Sequence, residues 1–309
     1  MAAPVVSLEQ LLSLAGSLGP LRLAVAAAES DTALRAAAGA RRLGIAEPVL
    51  LGEPKELGRR LAALGEDPDA WTVLQAEDDA DAARRAVALI RSGEAAILMK
   101  GRLSTGELLR AVLDRKLGLR TGRLLSDVLV ADAPYAQEPR LLGVTDGGVN
   151  VAPDLLEKRA ILENAAGLFR RLGVKEPKVA CLCALEAVSA AMPHTREARE
   201  LARLNAEGEI GGCRVAGPLA LDNALSLEAA RLKGIDDPVA GRADVLLAPA
   251  IEAANALGKA FVYLARRRVA HVVVGAAAPV LIPSRVDGAE DKLHSIALGV
   301  IAAARREEA

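Results

Sequence analysis

The sequence predicts an α/β fold made of two domains, and three observations carry that reading. Short runs rich in β-branched residues alternate with helix-period segments along almost the whole length, as in mainly parallel sheets covered by helices. At 309 residues the chain exceeds the usual size of one compact core. A stretch dense in Pro, Gly and Asp, DAPYAQEPRLLGVTDGGVNVAPD, breaks the alternation and places a hinge near residues 135 to 153.

In order along the chain, LRLAVAA, PVLLG, WTVLQA, AAILMKG and LLSDVLVAD read as strands of the first half. Between them DTALRAAAGARRLG and DADAARRAVALIRSG read as helices, each opening on an acidic cap candidate and closing on glycine. After the hinge comes a long helix, DLLEKRAILENAAGLFRRLG, and then KVACLCAL, GCRVAGPLAL, ADVLLAP and VAHVVVGA as strands. The run GAAAPVLIPS reads as a buried strand that stops abruptly in charge, and an amphipathic helix follows from Glu290 to about Arg306.

Composition narrows the function. With 39 basic and 40 acidic side chains the net charge is -1, so no overall field draws the chain to nucleic acid or an anionic membrane, and any anion site must be local. Aromatic residues make up 2% of the chain, too few for base-stacking platforms. Cys181, Cys183 and Cys213 lack metal-ligand spacing, and Cys181 and Cys183 share one face of a strand, which reads as buried thiols in a reducing compartment. The N-terminus has no cationic start before an apolar segment, and no run reaches the ~20 apolar residues of a membrane span, so a cytoplasmic location is expected.

In open α/β sheets, ligands bind beyond the carboxyl ends of the strands, so polar residues directly after apolar runs are the candidates. AAILMKGRLSTGELL leaves a strand at Lys100 and Gly101 and starts a helix near Ser104 or Thr105, bringing a cation, a close-approach backbone and helix amides that suit a phosphate. Walker A spacing is absent, and an exposed lysine beside an ordinary cap is the alternative. Arg120 and Arg123 flank a turn, with forks suited to phosphate or simply exposed. Thr145, Asp146 and Asn150 end an apolar run, and Asp222 and Asn223 precede a helix; capping is the competing role for all five. Asn255 and Lys259 lie four apart on one helix face. After the last strand stand Ser284, Arg285, Asp287 and Asp291, where the acids also suit a cap and a helix first turn.

Together these segments resemble the phosphate acetyl/butyryltransferases. The resemblance runs in order from about residue 95 to 300, through LMKGRLSTGELLRAVL, GLRTGRLLSDV, LLGVTDGGVNVAPDLLEKRAILENA, LGVKEPKVA, GPLALDNALSLEAARLKGIDDPVAG, ADVLLAPAIEAANALGKA and PVLIPSRVDGAEDKLHSIAL, with the butyryl-type branch most similar. It implies a fold like that of the isocitrate/isopropylmalate dehydrogenases, with two α/β domains and an interdomain cleft. The first domain would comprise 1–145 and 280–309, and the second, 146–279, would serve dimerisation in a homodimer or larger assembly. It also implies exchange of a short acyl group between coenzyme A and phosphate, with CoA as substrate and no metal or redox cofactor. Asp291 would be the base, Ser284 would bond the oxyanion or the phosphate, and Arg285 would hold phosphate. Lys100, Gly101, Thr105, Arg120, Thr145, Asp146, Asn150, Asn223, Asn255 and Lys259 would contact substrate.

The chain departs from the family pattern in three places. Ala250 stands where an aspartate is common, Ala254 where a glycine precedes Asn255, and Asp127 where a histidine is usual. Three rivals stay in view: a two-carbon acetyltransferase, an NAD-dependent dehydrogenase of the same fold, and a non-catalytic binding relative, the last motivated by Ala250 and Ala254. The dehydrogenase needs metal-binding aspartates in the segment that here reads APAIEAANALGK, and no carboxylate pair is present there.

Overall fold

The computed structural model describes residues 3–133 and 138–304. Two compact units form from interrupted chain: Glu9–Arg123 joins the chain from Ala270 onward in the first, and Leu124–Val269 joins the residues up to Leu8 in the second. The boundaries expected at 145/146 and 279/280 lie further along the chain than these. Residues 134–137 of the expected hinge and 305–306 of the last helix fall outside the described residues.

The chain opens with α1 (Leu8–Leu18) and builds the first unit from β1 (Leu21–Ala26), α2 (Asp31–Arg42), β2 (Ala46–Gly52), α3 (Pro54–Ala63), β3 (Thr72–Gln75), α4 (Asp79–Arg91), β4 (Ile97–Lys100) and α5 (Thr105–Val112). It then forms the second unit from β5 (Ser126–Asp132), β6 (Leu141–Thr145), α6 (Leu155–Arg171), β7 (Lys178–Leu182), α7 (Pro193–Ala206), β8 (Arg214–Leu219), α8 (Leu221–Leu225), α9 (Leu227–Leu232), β9 (Val245–Leu247) and α10 (Ile251–Tyr263). It returns to the first unit with β10 (Val269–Val274), β11 (Val280–Leu281) and α11 (Ala289–Ala304).

In the first unit the strands run in the order β3-β2-β1-β4-β11-β10, parallel except for β10 against β11. Chain order reverses between β1 and β4, so the carboxyl ends of these two strands flank a topological switch point, where open α/β sheets bind ligands. Leu23, Val25, Leu50, Ile97, Met99 and Val280 are buried on these strands, while six residues of α2, five of them alanine, are buried against the unit's core. Small residues let α2 approach α11 closely, and a side chain at Gly39 would meet Leu293 at 3.3 Å.

The second unit orders its strands β5-β6-β9-β7-β8, with only β5 and β6 antiparallel. Strand β6 lies inside the stretch read from the sequence as a hinge. Its run LLGVT is buried along its whole length, and Gly143 makes room for Phe169 of α6, whose ring would sit 2.6 Å from an added Cβ. Pro and Gly on either side of β6 dominate the local composition, which conceals a five-residue central strand.

Helix starts follow side-chain chemistry. Asp154 caps α6 in a reciprocal box with Glu157, Ser104 does the same for α5 with Glu107, and Asp78 rather than Asp79 caps α4. Asp31 sits one residue inside α2, whose N-cap is Ser30 without a side-chain cap bond. Among the described residues no helix is long and apolar enough to cross a membrane.

Candidate active site

In the first unit, β4 ends in Lys100 and passes directly into Gly101. The Gly101 amide donates to the Ala26 carbonyl over 2.7 Å, and an added Cβ would lie 2.0 Å from the Ala27 carbonyl oxygen, so only glycine fits where β1 and β4 part. Lys100 is 3% exposed. Burial lowers its pKa, the charges of Arg285 and Lys292 push it the same way, and Asp287 opposes them. Three cations thus gather around the Asp287 carboxylate at this strand end.

Strand β11 leads through Pro283 into the turn Ser284–Asp287. Asp287 Oδ2 accepts the Ser284 amide at 2.6 Å, and the Asp287 amide donates to the Ser284 carbonyl at 3.2 Å. Lys292 Nζ donates to the carbonyls of Ser284 (3.1 Å) and Asp287 (2.6 Å). Ser284 is half-buried and Arg285 exposed. Asp291 is half-buried in the first turn of α11; its carbonyl accepts the Ser295 hydroxyl at 2.9 Å, and Ser295 Oγ in turn accepts the His271 amide at 2.9 Å, fastening the helix start to β10. Glu107 at the start of α5 is held below the usual carboxylate range mainly by Ser104, with smaller help from Arg110 and Arg285. Lys100, Ser284, Arg285, Asp287 and Lys292 therefore share one neighbourhood, with Asp291 next to Lys292 in the chain. Thr105 is the first residue of α5. The capping box takes one amide that the sequence reading offered to a phosphate, that of Glu107.

Glu29 and Lys292 belong at this edge and were not singled out from the sequence. The Arg102 guanidinium reaches Glu29 Oε2 at 3.2 Å and Asp79 Oδ1 at 2.6 Å. Glu29 follows the apolar run of β1, so the same strand-end rule that selects Lys100 reaches it.

In the second unit, the segment after β6 folds around one carboxylate. Asp146 Oδ1 accepts the amides of Gly148 (2.9 Å) and Val149 (3.0 Å), and Oδ2 accepts the Asn150 amide (3.2 Å) and side-chain Nδ2 (2.6 Å). Asn150 Nδ2 also donates to the Leu125 carbonyl at 2.7 Å, and Thr145 Oγ1 donates to the Asp127 carbonyl at 2.7 Å. The Thr145–Asp146 peptide is cis. Burial, followed by the neighbouring Asp127 carboxylate, raises Asp146 to a pKa of about 6. Asp127 packs against the loop, with Oδ2 3.0 Å from where a Gly148 Cβ would stand. Asn255 on α10 donates to the Gly147 carbonyl at 3.0 Å, and Ala254 lies 3.4 to 3.5 Å from a Cβ added at Gly147. Ala250 is the N-cap of α10 and supplies no cap bond. Thr145, Asp146, Asn150 and Asn255 are thus brought together around this loop.

The remaining candidates lie elsewhere. Lys259 is half-buried one turn beyond Asn255, and Arg120 is exposed after α5. Asn223 is buried, with Nδ2 donating to Glu186 Oε1 (2.6 Å) and Asp222 Oδ1 (3.3 Å) in a cluster closed by Lys233. The three cysteines are free, and burial pushes Cys183 and Cys213 up to about 11. Among the described residues no group of three or more His, Cys, Asp or Glu side chains is placed to hold a metal.

A two-unit α/β enzyme with a cationic strand-end site is the class that this fold and these residues define. The family model described as Phosphate acetyl/butaryl transferase matches residues 74–300. The phosphate acetyltransferase of Thermotoga maritima is 42% identical over 95% of this chain and 99% of its own length. The phosphate butyryltransferase of Clostridium beijerinckii is 38% identical over 97% and 98%. Among solved structures, a branched-chain phosphotransacylase from Enterococcus faecalis superposes with a TM-score of 0.80 at 28% identity, over 92% of this chain and 99% of that one. A 4-hydroxythreonine-4-phosphate dehydrogenase from Burkholderia phymatum, at TM-score 0.56 and 16% identity over 93% and 100%, shares the dehydrogenase-like fold alone. The chain belongs to the phosphate acetyl/butyryl transferase family and is a phosphate acyltransferase.

Proposed function

We propose that the protein exchanges a short acyl group between coenzyme A and inorganic phosphate, with a butyryl-type chain as the preferred acyl group. The observation that carries the reading is the grouping of Lys100, Ser284, Arg285 and Asp287 at the ends of β4 and β11, with Asp291 in the helix turn that follows, in a chain of this family. The branched-chain phosphotransacylase at TM-score 0.80 supports a chain longer than acetyl. The acetyltransferase at 42% identity supports the second reading, a two-carbon substrate.

In the direction of acyl-CoA synthesis, the thiol sulfur attacks the carbonyl of the acyl phosphate and gives up its proton. A tetrahedral oxyanion forms, and the carbon–oxygen bond to phosphate then breaks. Asp291 takes the thiol proton. Ser284 donates its hydroxyl to the oxyanion, and Lys100 and Arg285 hold the phosphate as its charge grows. An ordinary carboxylate near pKa 4 is a weak base for a thiol near 8.5, so the adjacent cations do much of the work by stabilising the thiolate. Thr105 brings its main-chain amide to the phosphate, while Gly101, whose own amide is bonded to the Ala26 carbonyl, lets the chain turn beside Lys100. On the second unit, Asn255 and Lys259 offer polar groups to solvent, while Thr145 is sealed by its bond to the Asp127 carbonyl, Asp146 and Asn150 shape their loop and Asn223 braces α8.

Self-association as a homodimer through the second unit belongs to the proposal. Its support is α10, where only Ala254 and Gly258 are buried while Tyr263 and the following Leu264 are exposed. The deciding experiment measures phosphate-dependent thiol release from acetyl-, butyryl- and isobutyryl-CoA, with and without magnesium and NAD. Release in the absence of both, fastest with a four-carbon chain, is the expected result. No release with any of the three leaves the non-catalytic reading.

A further inference from the structure

We infer that Lys292 is a positioning residue whose buried ammonium clamps the turn presenting Ser284 and Arg285. The inference rests on the proposed function, since it assigns a task at the same site. Both main-chain groups of Ser284 are tied from opposite partners. The amide donates to Asp287 Oδ2 at 2.6 Å, and the carbonyl accepts Lys292 Nζ at 3.1 Å together with the Asp287 amide at 3.2 Å. The second bond from Lys292, to the Asp287 carbonyl at 2.6 Å, closes the far end of the turn. One ammonium therefore bridges the first and last carbonyls of the segment Ser284–Asp287, and the main chain of Arg285 lies between these two held ends.

The chemistry of the position favours this role. Lys292 is 2% exposed on α11, one residue after Asp291. The charged groups facing it are Asp287 and Asp291, which favour the ammonium, and Lys100, whose charge opposes it. A hydrocarbon side chain would fill the same space with no desolvation cost. What the ammonium adds is a pair of charge-assisted bonds to two carbonyls, a geometry that a methionine cannot reproduce. Since Lys292 Nζ is engaged by main-chain oxygens, it acts through the turn and does not need to touch substrate.

The test uses the full chain, assayed for phosphate-dependent acyl exchange. Lys292→Met should lower kcat/KM for phosphate by roughly tenfold or more, while KM for acyl-CoA changes by less than about twofold. Lys292→Ala should lose the same activity and regain it, saturably, on addition of ethylammonium, with no gain from tetramethylammonium, which has no N–H donor. A purely structural role predicts no such discrimination between the two amines. Inactive wild-type protein overturns both the proposed function and this inference. Active wild-type protein with an unaffected Lys292→Met overturns the inference alone. If Lys292→Met loses its native melting transition, the alanine variant decides: rescue by ethylammonium upholds the clamp, and failure of rescue removes it.

Discussion

The Asn150 side-chain amide donates to Asp146 Oδ2 across 2.6 Å, inside a loop where the same carboxylate also accepts three consecutive main-chain amides. Asp146 is therefore the centre of its own loop, and its charge is sheltered from water. Burial and the Asp127 carboxylate raise it from an ordinary 3.8 to about 6.

That shift fixes the sign of a pH effect. A carboxyl whose pKa is higher in the folded than in the unfolded chain binds more protons when folded, so its stabilising contribution is complete below about 3.8 and disappears as pH rises through about 6. The contribution lost over that window is at most roughly 3 kcal/mol. The check is urea denaturation from pH 4 to 7 for wild type and Asp146→Asn. The difference between the two curves should slope across this window and flatten above it; parallel curves would show that Asp146 ionises normally.

Gly101 supplies a second prediction. A methyl group there would press on the Ala27 carbonyl at 2.0 Å, which is backbone and cannot swing away. Gly101→Ala should destabilise by about 1 to 3 kcal/mol and displace the neighbouring Lys100, lowering phosphate affinity as well. Gly106→Ala, inside α5 with nothing within 4 Å of the added carbon, is the control that should leave phosphate affinity unchanged and stability equal or slightly higher.

These relationships show what a sequence can and cannot disclose. Strands β1, β4 and β10 and helices α4 and α6 stand out because periodicity is local, and the strand-end rule leads directly to Lys100 and Ser284. For Asp146 the sequence left binding and capping open, and the amides of 148 to 150 show how fully capping occupies it. Strand β6 escaped because its five residues sit among turn formers. Lys292 escaped because an i,i+8 contact to the Ser284 carbonyl depends on how a turn folds back on a helix, which no spacing rule encodes.

Lys100 should show activity and stability moving in opposite directions. Its ammonium is buried beside Arg285 and Lys292, an arrangement that disfavours the charged form. Lys100→Met removes that cost, so Tm should rise or hold. The loss of a charge-assisted contact should at the same time weaken apparent phosphate affinity about 10- to 100-fold. Arg285→Met, at an exposed position, should weaken phosphate without the gain in Tm. Unchanged phosphate dependence in both variants would take these cations out of the site.

Asp291 separates catalysis from helix stabilisation. It stands in the first turn of α11, where a negative charge favours the helix dipole, and it is also the residue proposed to take the thiol proton. Asp291→Asn keeps the shape and removes the base, so turnover should fall by about 10² to 10⁴ with Tm nearly unchanged. If Asp291 acts on the helix alone, the loss is instead about 0.5 to 1 kcal/mol of stability with turnover intact. The rate of CoA attack on butyryl phosphate, measured from pH 6 to 9 beside the melting curve of each protein, distinguishes the two. The residual rate of Asp291→Asn should climb steeply with pH as more of the thiol ionises toward its pKa near 8.5, so its gap to the wild type narrows at high pH, whereas an Asn variant that melts early and turns over at the wild-type rate would remove Asp291 from the role of base.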